Sequence, residues 1–432
     1  MDPECSIRIE RGRIPKGARV WRKGTQVKSI GIVGAGQSGL QLAIGLRQAG
    51  YPVVLVSALS PEEIRNGRVM SSQCMFGTAL EHERRLGLNL WDDLCPAIDG
   101  IEFAVAGGGS EPQMRWDARL ERPARSVDQR LKMPRLMEQF SALGGELRFQ
   151  EVHLPDLEEL TRECALVMVS AGKGAIANIF ERDAVRSEHD RPMRALALTY
   201  VKGLVPRAGF AAVCFNLIPG VGEYFVFPAL TTSGLCEIMV FEGIPGGPMD
   251  CWSDVRSPEG HLETSVGLLR RFVPWEFERA GSVSLTDTNG ILAGRFPPTV
   301  RHPLARLPSG AVVLGMGDVV CLNDPITGQG SNNASKCASV YLQRILERGT
   351  DPYDIEWMRE TFETYWRYAQ HVTRWTNMML RPPPEHMLQL LQAGQMQPRV
   401  AHWFVNGFDN PPVLFPHIAD AAAAARFLAI DG

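Results

Sequence analysis

Gly34, Gly36 and Gly39, with Gln37 and Ser38 among them, are the first residues in this chain whose types and spacing could do chemistry. The spacing suits a turn around a dinucleotide pyrophosphate, and each glycine answers a separate need. Gly34 allows the tight turn, Gly36 lets the backbone approach the phosphates, and Gly39 lets a helix pack close to the preceding strand. Free N–H groups and the positive end of a helix dipole then face the anion. A second group lies far downstream, in Gly317-Asp318, Asp324-Pro325 and Gly328-Gln329-Gly330-Ser331-Asn332-Asn333. The Asp318 carboxylate can accept hydrogen bonds from a ribityl or ribose hydroxyl. The N–H groups around Gly328 to Asn332 can meet an electron-rich ring edge.

Each group needs a strand, a turn and a helix. Ser29-Ile30-Gly31-Ile32-Val33 reads as the strand before the first turn, and Leu40, Ile44 and Leu46 give helical spacing after it. A second β-run, Val53-Val54-Leu55-Val56-Ser57, is expected beside the first in a parallel sheet. It ends in Ser57, where an acidic residue for the ribose hydroxyls is expected. Ser126 to Leu131, including Arg130, leads into a helix that stops at Gly144-Gly145, and a third parallel strand over 165–170 enters the turn Ala171-Gly172-Lys173. A strand ending at Leu314 delivers Gly317-Asp318, and a helix follows from Ala334. Between about 190 and 290, β-runs at 195–201, 211–217, 223–227 and 236–241 read as an inserted antiparallel sheet. From Tyr353 the pattern is helical, with a core-facing stripe of Met358, Phe362, Tyr365, Ala369 and Val372 that ends before Pro382-Pro383-Pro384.

The 432 residues, 45% of them hydrophobic and with a formal net charge of −3, suit a large folded chain and offer nothing to attract nucleic acid or an anionic membrane. Residues 1–28 are the exception, basic and poor in apolar residues, and are expected to be a disordered leader. No run approaches the roughly 18 apolar residues of a membrane span. The nine cysteines form no CxxC pair, which fits reduced thiols and a cytoplasmic location. The nine histidines form no HxH or HxxxH pair, so neither a metal centre nor a hydrolytic triad is expected.

With these motifs in hand, the chain resembles the FAD-dependent styrene and indole monooxygenases, the oxygenase halves of two-component systems. The matching stretches are 31–39, Val127-Asp128 with Arg130-Leu131, Gly172-Lys173 with Phe180-Glu181, 314–318, Asp324-Pro325 with Gly328-Gln329-Gly330, and Thr373-Arg374-Trp375-Thr376-Asn377. The resemblance runs from about residue 29 to 390. It implies an α/β fold: a Rossmann-like FAD-binding domain of the aromatic-hydroxylase type, an inserted antiparallel β-sheet substrate domain and a helical C-terminal region. The FAD-binding domain is expected over 29–185 and 290–350, the substrate sheet over 186–289 and the helical region over 351–432.

The resemblance further implies FAD in its reduced form, supplied by a separate NADH-dependent flavin reductase as a transient partner, with transfer by diffusion or through a complex left open. The absence of a second GxGxxG, and Ala171-Gly172 in place of an Asp-Gly turn, agree with a chain that has no nicotinamide site of its own. The implied reaction uses O2 and a flavin C4a-hydroperoxide to epoxidise a styrene- or indole-like aromatic alkene, with sulfoxidation of a thioether also open. No protein side chain is expected to act covalently. Gly34, Gly36, Gln37, Ser38, Gly39, Arg130, Asp318, Gly328, Gly330, Ser331 and Asn332 are implied to contact FAD. Arg68, Val69, Met70 and Ser71, on the loop after the second strand, are implied near the ring and substrate, with Pro325. Phe215, Phe225 and Phe227 are candidate walls of the substrate pocket. One departure is Glu102-Phe103-Ala104-Val105-Ala106-Gly107, where styrene-oxidising relatives are more aromatic. A homodimer is compatible with the reading. Two alternatives stay open: a single-component FAD hydroxylase using NAD(P)H, and a non-catalytic binding protein on the same fold.

Overall fold

A computed structural model of the chain describes residues 29–172 and 174–430. The basic leader expected over 1–28, and Lys173 of the third turn, lie outside the described residues.

Runs of β-branched and aliphatic residues, buried on both faces, build the central strands of the first sheet. Strands are numbered in chain order. This sheet contains β1 (Ser29–Val33), β2 (Val53–Ser57), β5 (Glu146–Phe149), β6 (Cys164–Val169), β14 (Leu304–Arg306) and β15 (Val312–Gly315), in the order β14-β15-β6-β1-β2-β5. β1 pairs in parallel with β2 and β6, and β15 in parallel with β6, so the expected strands meet in the expected sense. Only the edge strand β14 runs antiparallel. Helices α1 (Gln37–Gln48), α4 (Gln129–Ala142), α8 (Gly330–Arg348) and α9 (Ile355–Met379) share one apolar core with this sheet. The predicted stripe on α9 is buried throughout.

The second sheet carries β3 (Ile98–Ala106), β4 (Pro112–Ala124), β7 (Ala195–Lys202), β8 (Ala212–Ile218), β9 (Gly222–Thr231), β10 (Gly234–Gly243), β11 (Ser284–Leu285) and β12 (Ile291–Gly294). Its order is β11-β7-β10-β9-β8-β3-β4, with β12 also on β7. The four β-runs read between 190 and 290 are β7 to β10, paired antiparallel. The sheet extends beyond them through the hairpin β3–β4, and β3 lies parallel to β8. β4 alternates inward Met114, Trp116, Ala118 and Leu120 with outward Gln113, Arg115, Asp117 and Arg119, the period of a strand with one wet face. A short ribbon joins β13 (Thr299–Val300) to β16 (Cys321–Leu322).

The sheet separates two further cores. One face packs on α6 (Pro258–Phe272) and α7 (Pro274–Arg279). The other packs on the end of α9 and on α10 (Glu385–Ala393), α11 (Pro398–Asn406) and α12 (Ala421–Leu428). The remaining helices are α2 (Pro61–Asn66), α3 (Gly77–Arg85) and α5 (Leu154–Glu163). No helix among the described residues is long and apolar enough to cross a membrane. The eight described cysteines are free thiols.

Candidate functional site

The glycine turn between β1 and α1 follows from sterics. Gly34 has φ +110°, and a Cβ there would come 2.7 Å from the Ala171 nitrogen. A Cβ at Gly39 would sit 1.9 Å from the Gly34 carbonyl oxygen, so the helix can approach this closely only with hydrogen at that position. A Cβ at Gly36 would meet nothing within 4 Å. The three glycines therefore divide into turn, packing and open approach, as their spacing predicts. α1 begins without a side-chain cap and without an acidic residue in its first turn, leaving N–H groups and the positive dipole end for an anion. That cradle fits a pyrophosphate.

The second motif folds onto the first. A Cβ on Gly317, whose φ is +60°, would meet Ser38 Oγ at 2.6 Å, and one on Gly172 would meet Asp318 Cβ at 2.6 Å. Ser38, Gly172, Gly317 and Asp318 thus converge at the carboxyl ends of β1, β6 and β15, where ligands of open α/β sheets bind. Gln37 is buried and donates to Glu83 Oε1 at 2.7 Å and Gln41 Oε1 at 3.0 Å, while Glu83 is ion-paired with Lys132. This buried network carries no sequence signal, because its members come from α1, α3 and α4. Ser57 Oγ donates to the Leu59 carbonyl at 2.6 Å and closes the turn after β2.

The loop before α8 is fastened at several points. Asp324 accepts from the Ile326 N–H at 3.2 Å, and Pro325 begins a short 3-10 turn that ends at Gly328 in the left-handed region, φ +62°. Thr327 Oγ1 lies 2.7 Å from Thr376 Oγ1. Gln329 Nε2 donates to the Phe408 carbonyl at 2.8 Å. Asn332 Nδ2 donates to the Cys74 carbonyl at 2.8 Å, and Asn332 Oδ1 accepts from the Phe76 N–H at 2.8 Å. The Asn332 side chain therefore braces the loop, reaching the Gly328 carbonyl as well at 2.9 Å, and leaves the backbone N–H groups of Gly330 and Ser331 at the uncapped start of α8. Among the buried side-chain atoms of this region, both of Asn333, Gln329 Oε1 and Trp375 Nε1 have no hydrogen-bond partner.

On the loop after β2, Arg68 is exposed, Val69 is buried with its N–H on the Asn289 carbonyl at 3.0 Å, and Met70 is half-buried. The Ser71 carbonyl accepts from Tyr200 Oη at 2.8 Å and its hydroxyl from Gln129 Nε2 at 2.8 Å. Phe215, Phe225, Phe227 and Val69 fall in one apolar cluster that also contains Ile326, next to Pro325. All three phenylalanines point to the same face because their strand positions share parity in the observed register. Arg130 is buried and engaged by Asp128 Oδ2 at 2.8 Å and by Asp287 at 2.9 and 3.0 Å, so its guanidinium joins the start of α4 to the substrate sheet.

Glu102, Cys214 and Glu276 place ligand atoms within 4.8 Å of one another. Each carboxylate is already paired, Glu102 with Arg207 at 2.7 Å and Glu276 with Arg279 at 2.7 Å. Burial pushes the Cys214 thiol up to about 12. This is an ion-paired cluster rather than a cation site.

The comparisons with known proteins agree with this geometry. The family model "Styrene monooxygenase A putative substrate binding domain" matches residues 172–279. Styrene monooxygenase StyA of Pseudomonas fluorescens is 32% identical over 394 residues, covering 89% of this chain and 93% of the relative. A second StyA, from Pseudomonas sp., is 31% identical over the same shares. Among solved structures, a triple mutant of the flavin-dependent brominase Bmp2 superposes with a TM-score of 0.68 at 13% identity, over 92% of this chain and 98% of that one. PqsL of Pseudomonas aeruginosa gives 0.59 at 15% identity, over 87% and 99%. These likenesses are of fold, that of the FAD-dependent aromatic hydroxylases and flavin-dependent halogenases. With identity above 30% over nearly its whole length, the chain belongs to the styrene monooxygenase family and is an FAD-dependent monooxygenase.

Proposed function

We propose that the chain is the oxygenase of a two-component system. It takes reduced FAD from a separate NADH-dependent flavin reductase and, with O2, epoxidises a styrene- or indole-like aromatic alkene, with thioether sulfoxidation open to the same chemistry. When bound, reduced FAD supplies two electrons that let O2 deliver one oxygen atom to the alkene and release the other as water.

The chain's own residues hold and orient. Gly34, Gly36, Gly39 and the N-terminus of α1 take the pyrophosphate, with Gln37 and Ser38 at its base. Asp318 accepts from the ribityl hydroxyls. Pro325, Gly328, Gly330, Ser331 and Asn332 form the loop against the ring, backed by Arg68 to Ser71 on the facing loop. Arg130 contributes by fixing α4 beneath that second loop. Phe215, Phe225 and Phe227 supply a dry wall that orients a neutral aromatic and keeps water from the reacting centre. Continuity of this apolar sheet face with Ile326, the neighbour of Pro325, carries the reading. It favours an apolar substrate over a charged one, because packing a charge against these phenylalanines would cost its hydration.

A direct test is NADH oxidation by the purified chain with FAD. The expected result is no turnover above background until a flavin reductase is added. Robust NADH oxidation by the chain alone would mean a single-component hydroxylase.

A further inference from the structure

Behind the flavin loop lies a buried cluster of like charges that the reading above does not use. In the β9–β10 register Glu223 stands directly opposite Glu242, and the two residues are 2% and 0% exposed. Asp324, 1% exposed, lies beside Glu242 at the head of the loop. Among the described residues, one guanidinium, that of Arg194, is charged against the group. Arg194 binds Glu223 through Nε to Oε2 at 2.7 Å and Nη2 to Oε1 at 2.9 Å. The charged groups facing Glu242 are therefore Asp324, Glu223 and Arg194.

Three carboxylates and one cation out of water cannot all be ionised. Glu223 has the Arg194 fork, and Asp324 has the Ile326 N–H. Neither oxygen of Glu242 receives an N–H or O–H donor. A carboxylate so placed would be uncompensated, whereas a carboxylic acid has an O–H to give and a neighbouring Asp324 oxygen to accept it. Burial, with the adjacent Asp324 charge, pushes Glu242 well above the usual carboxylate range.

We propose that Glu242 is a positioning residue for the flavin loop: as a neutral carboxylic acid it donates its O–H to Asp324 and so fixes the Asp324-Pro325 turn. The inference rests on the reading that this loop faces FAD. It ties the substrate sheet, through β10, to the segment that meets the cofactor. Loss of the proton would set two anions side by side and drive the turn outward.

The test compares wild-type protein with Glu242→Gln and Glu242→Ala by thermal melting from pH 5 to 9 and by titration with oxidised FAD. Between the ordinary glutamate value of about 4.3 and the raised folded value, the folded chain holds a proton that the unfolded chain has lost. Wild-type stability therefore falls with rising pH through that window relative to Glu242→Gln, whose amide donates without titrating. The expected result is a melting-temperature difference, Glu242→Gln minus wild type, that widens from pH 5 to pH 8, with FAD affinity within about twofold of wild type at pH 8. Glu242→Ala, lacking the donor, is expected to bind FAD about tenfold more weakly. A melting difference that stays constant with pH would overturn the proposal, as would wild-type FAD affinity in a folded Glu242→Ala. If Glu242→Ala does not fold, the Glu242→Gln comparison decides alone. Failure of the wild-type protein to bind FAD would count against the flavin reading itself, while the melting comparison still decides the proton.

Discussion

Gly36 and Gly39 stand three residues apart, and a methyl group should act on them in opposite ways. At Gly36 a Cβ finds open space, so Gly36→Ala is expected to leave the melting temperature near wild type while weakening FAD binding about tenfold, because the methyl occupies the phosphate approach. At Gly39 a Cβ would lie 1.9 Å from the Gly34 carbonyl oxygen, so Gly39→Ala is expected to cost about 3 kcal/mol of stability or abolish folding. Paired melts and FAD titrations check both; equal loss of stability at the two positions would refute the division of roles. These roles are legible in sequence because they are set by contacts within one turn. The surroundings of Arg130 are not, since its partner Asp287 lies 157 residues away and no local pattern announces it. The same holds for Glu242, a charge at the end of an apolar strand whose partner Asp324 belongs to another element.

At the scale of elements, strand register builds an aromatic ladder. Phe225 of β9, Phe215 of β8, Phe103 of β3 and Trp116 of β4 are successive cross-strand neighbours, with ring centroids 4.7, 5.4 and 5.2 Å apart. Phe227 shares the face without a ring neighbour among the described aromatic pairs. Phe215→Ala removes a rung between two rings and is expected to cost about 3–5 kcal/mol. Phe227→Ala is expected to cost less and to shift product ratios more, as a wall residue would. Denaturant unfolding and product analysis on a pair of styrenes of different bulk check this, and equal effects of the two substitutions on stability and products would contradict it. The strands β7 to β10 are legible because their residues alternate or are uniformly apolar. The hairpin β3–β4 is harder to read. Gly100 and Glu102 interrupt β3, its pairing is irregular near Ile98 and Ala106, and β4 shows charges on its open face. Its place beside β8 is a long-range pairing that only the assembled sheet reveals.

Across the whole molecule, two motifs far apart in sequence meet where Gly317 packs on Ser38 and Gly172 on Asp318. The C-terminal helices complete the arrangement by covering the phenylalanine face of the substrate sheet. Trp116 Nε1 donates to the Leu391 carbonyl at 2.9 Å, and Phe404 stands edge-on to Trp116. The strand, turn and helix around each of the two glycine motifs were legible in the sequence. The covering of the phenylalanine face by residues 380–428 was not, because helices record which face is apolar but not which partner they cover. The assembled molecule is an FAD-dependent monooxygenase, and in the function proposed above the chemistry arrives with the cofactor while the chain supplies a grip, a loop and an apolar wall. The most direct measurement is product analysis after mixing the purified chain with chemically reduced FAD, O2 and a panel of styrene, indole and an aryl thioether, with no reductase present. The account predicts styrene oxide or the corresponding oxygenated indole or sulfoxide, formed in proportion to the reduced FAD supplied. Absence of every oxygenated product, with the reduced FAD consumed by O2, would contradict it.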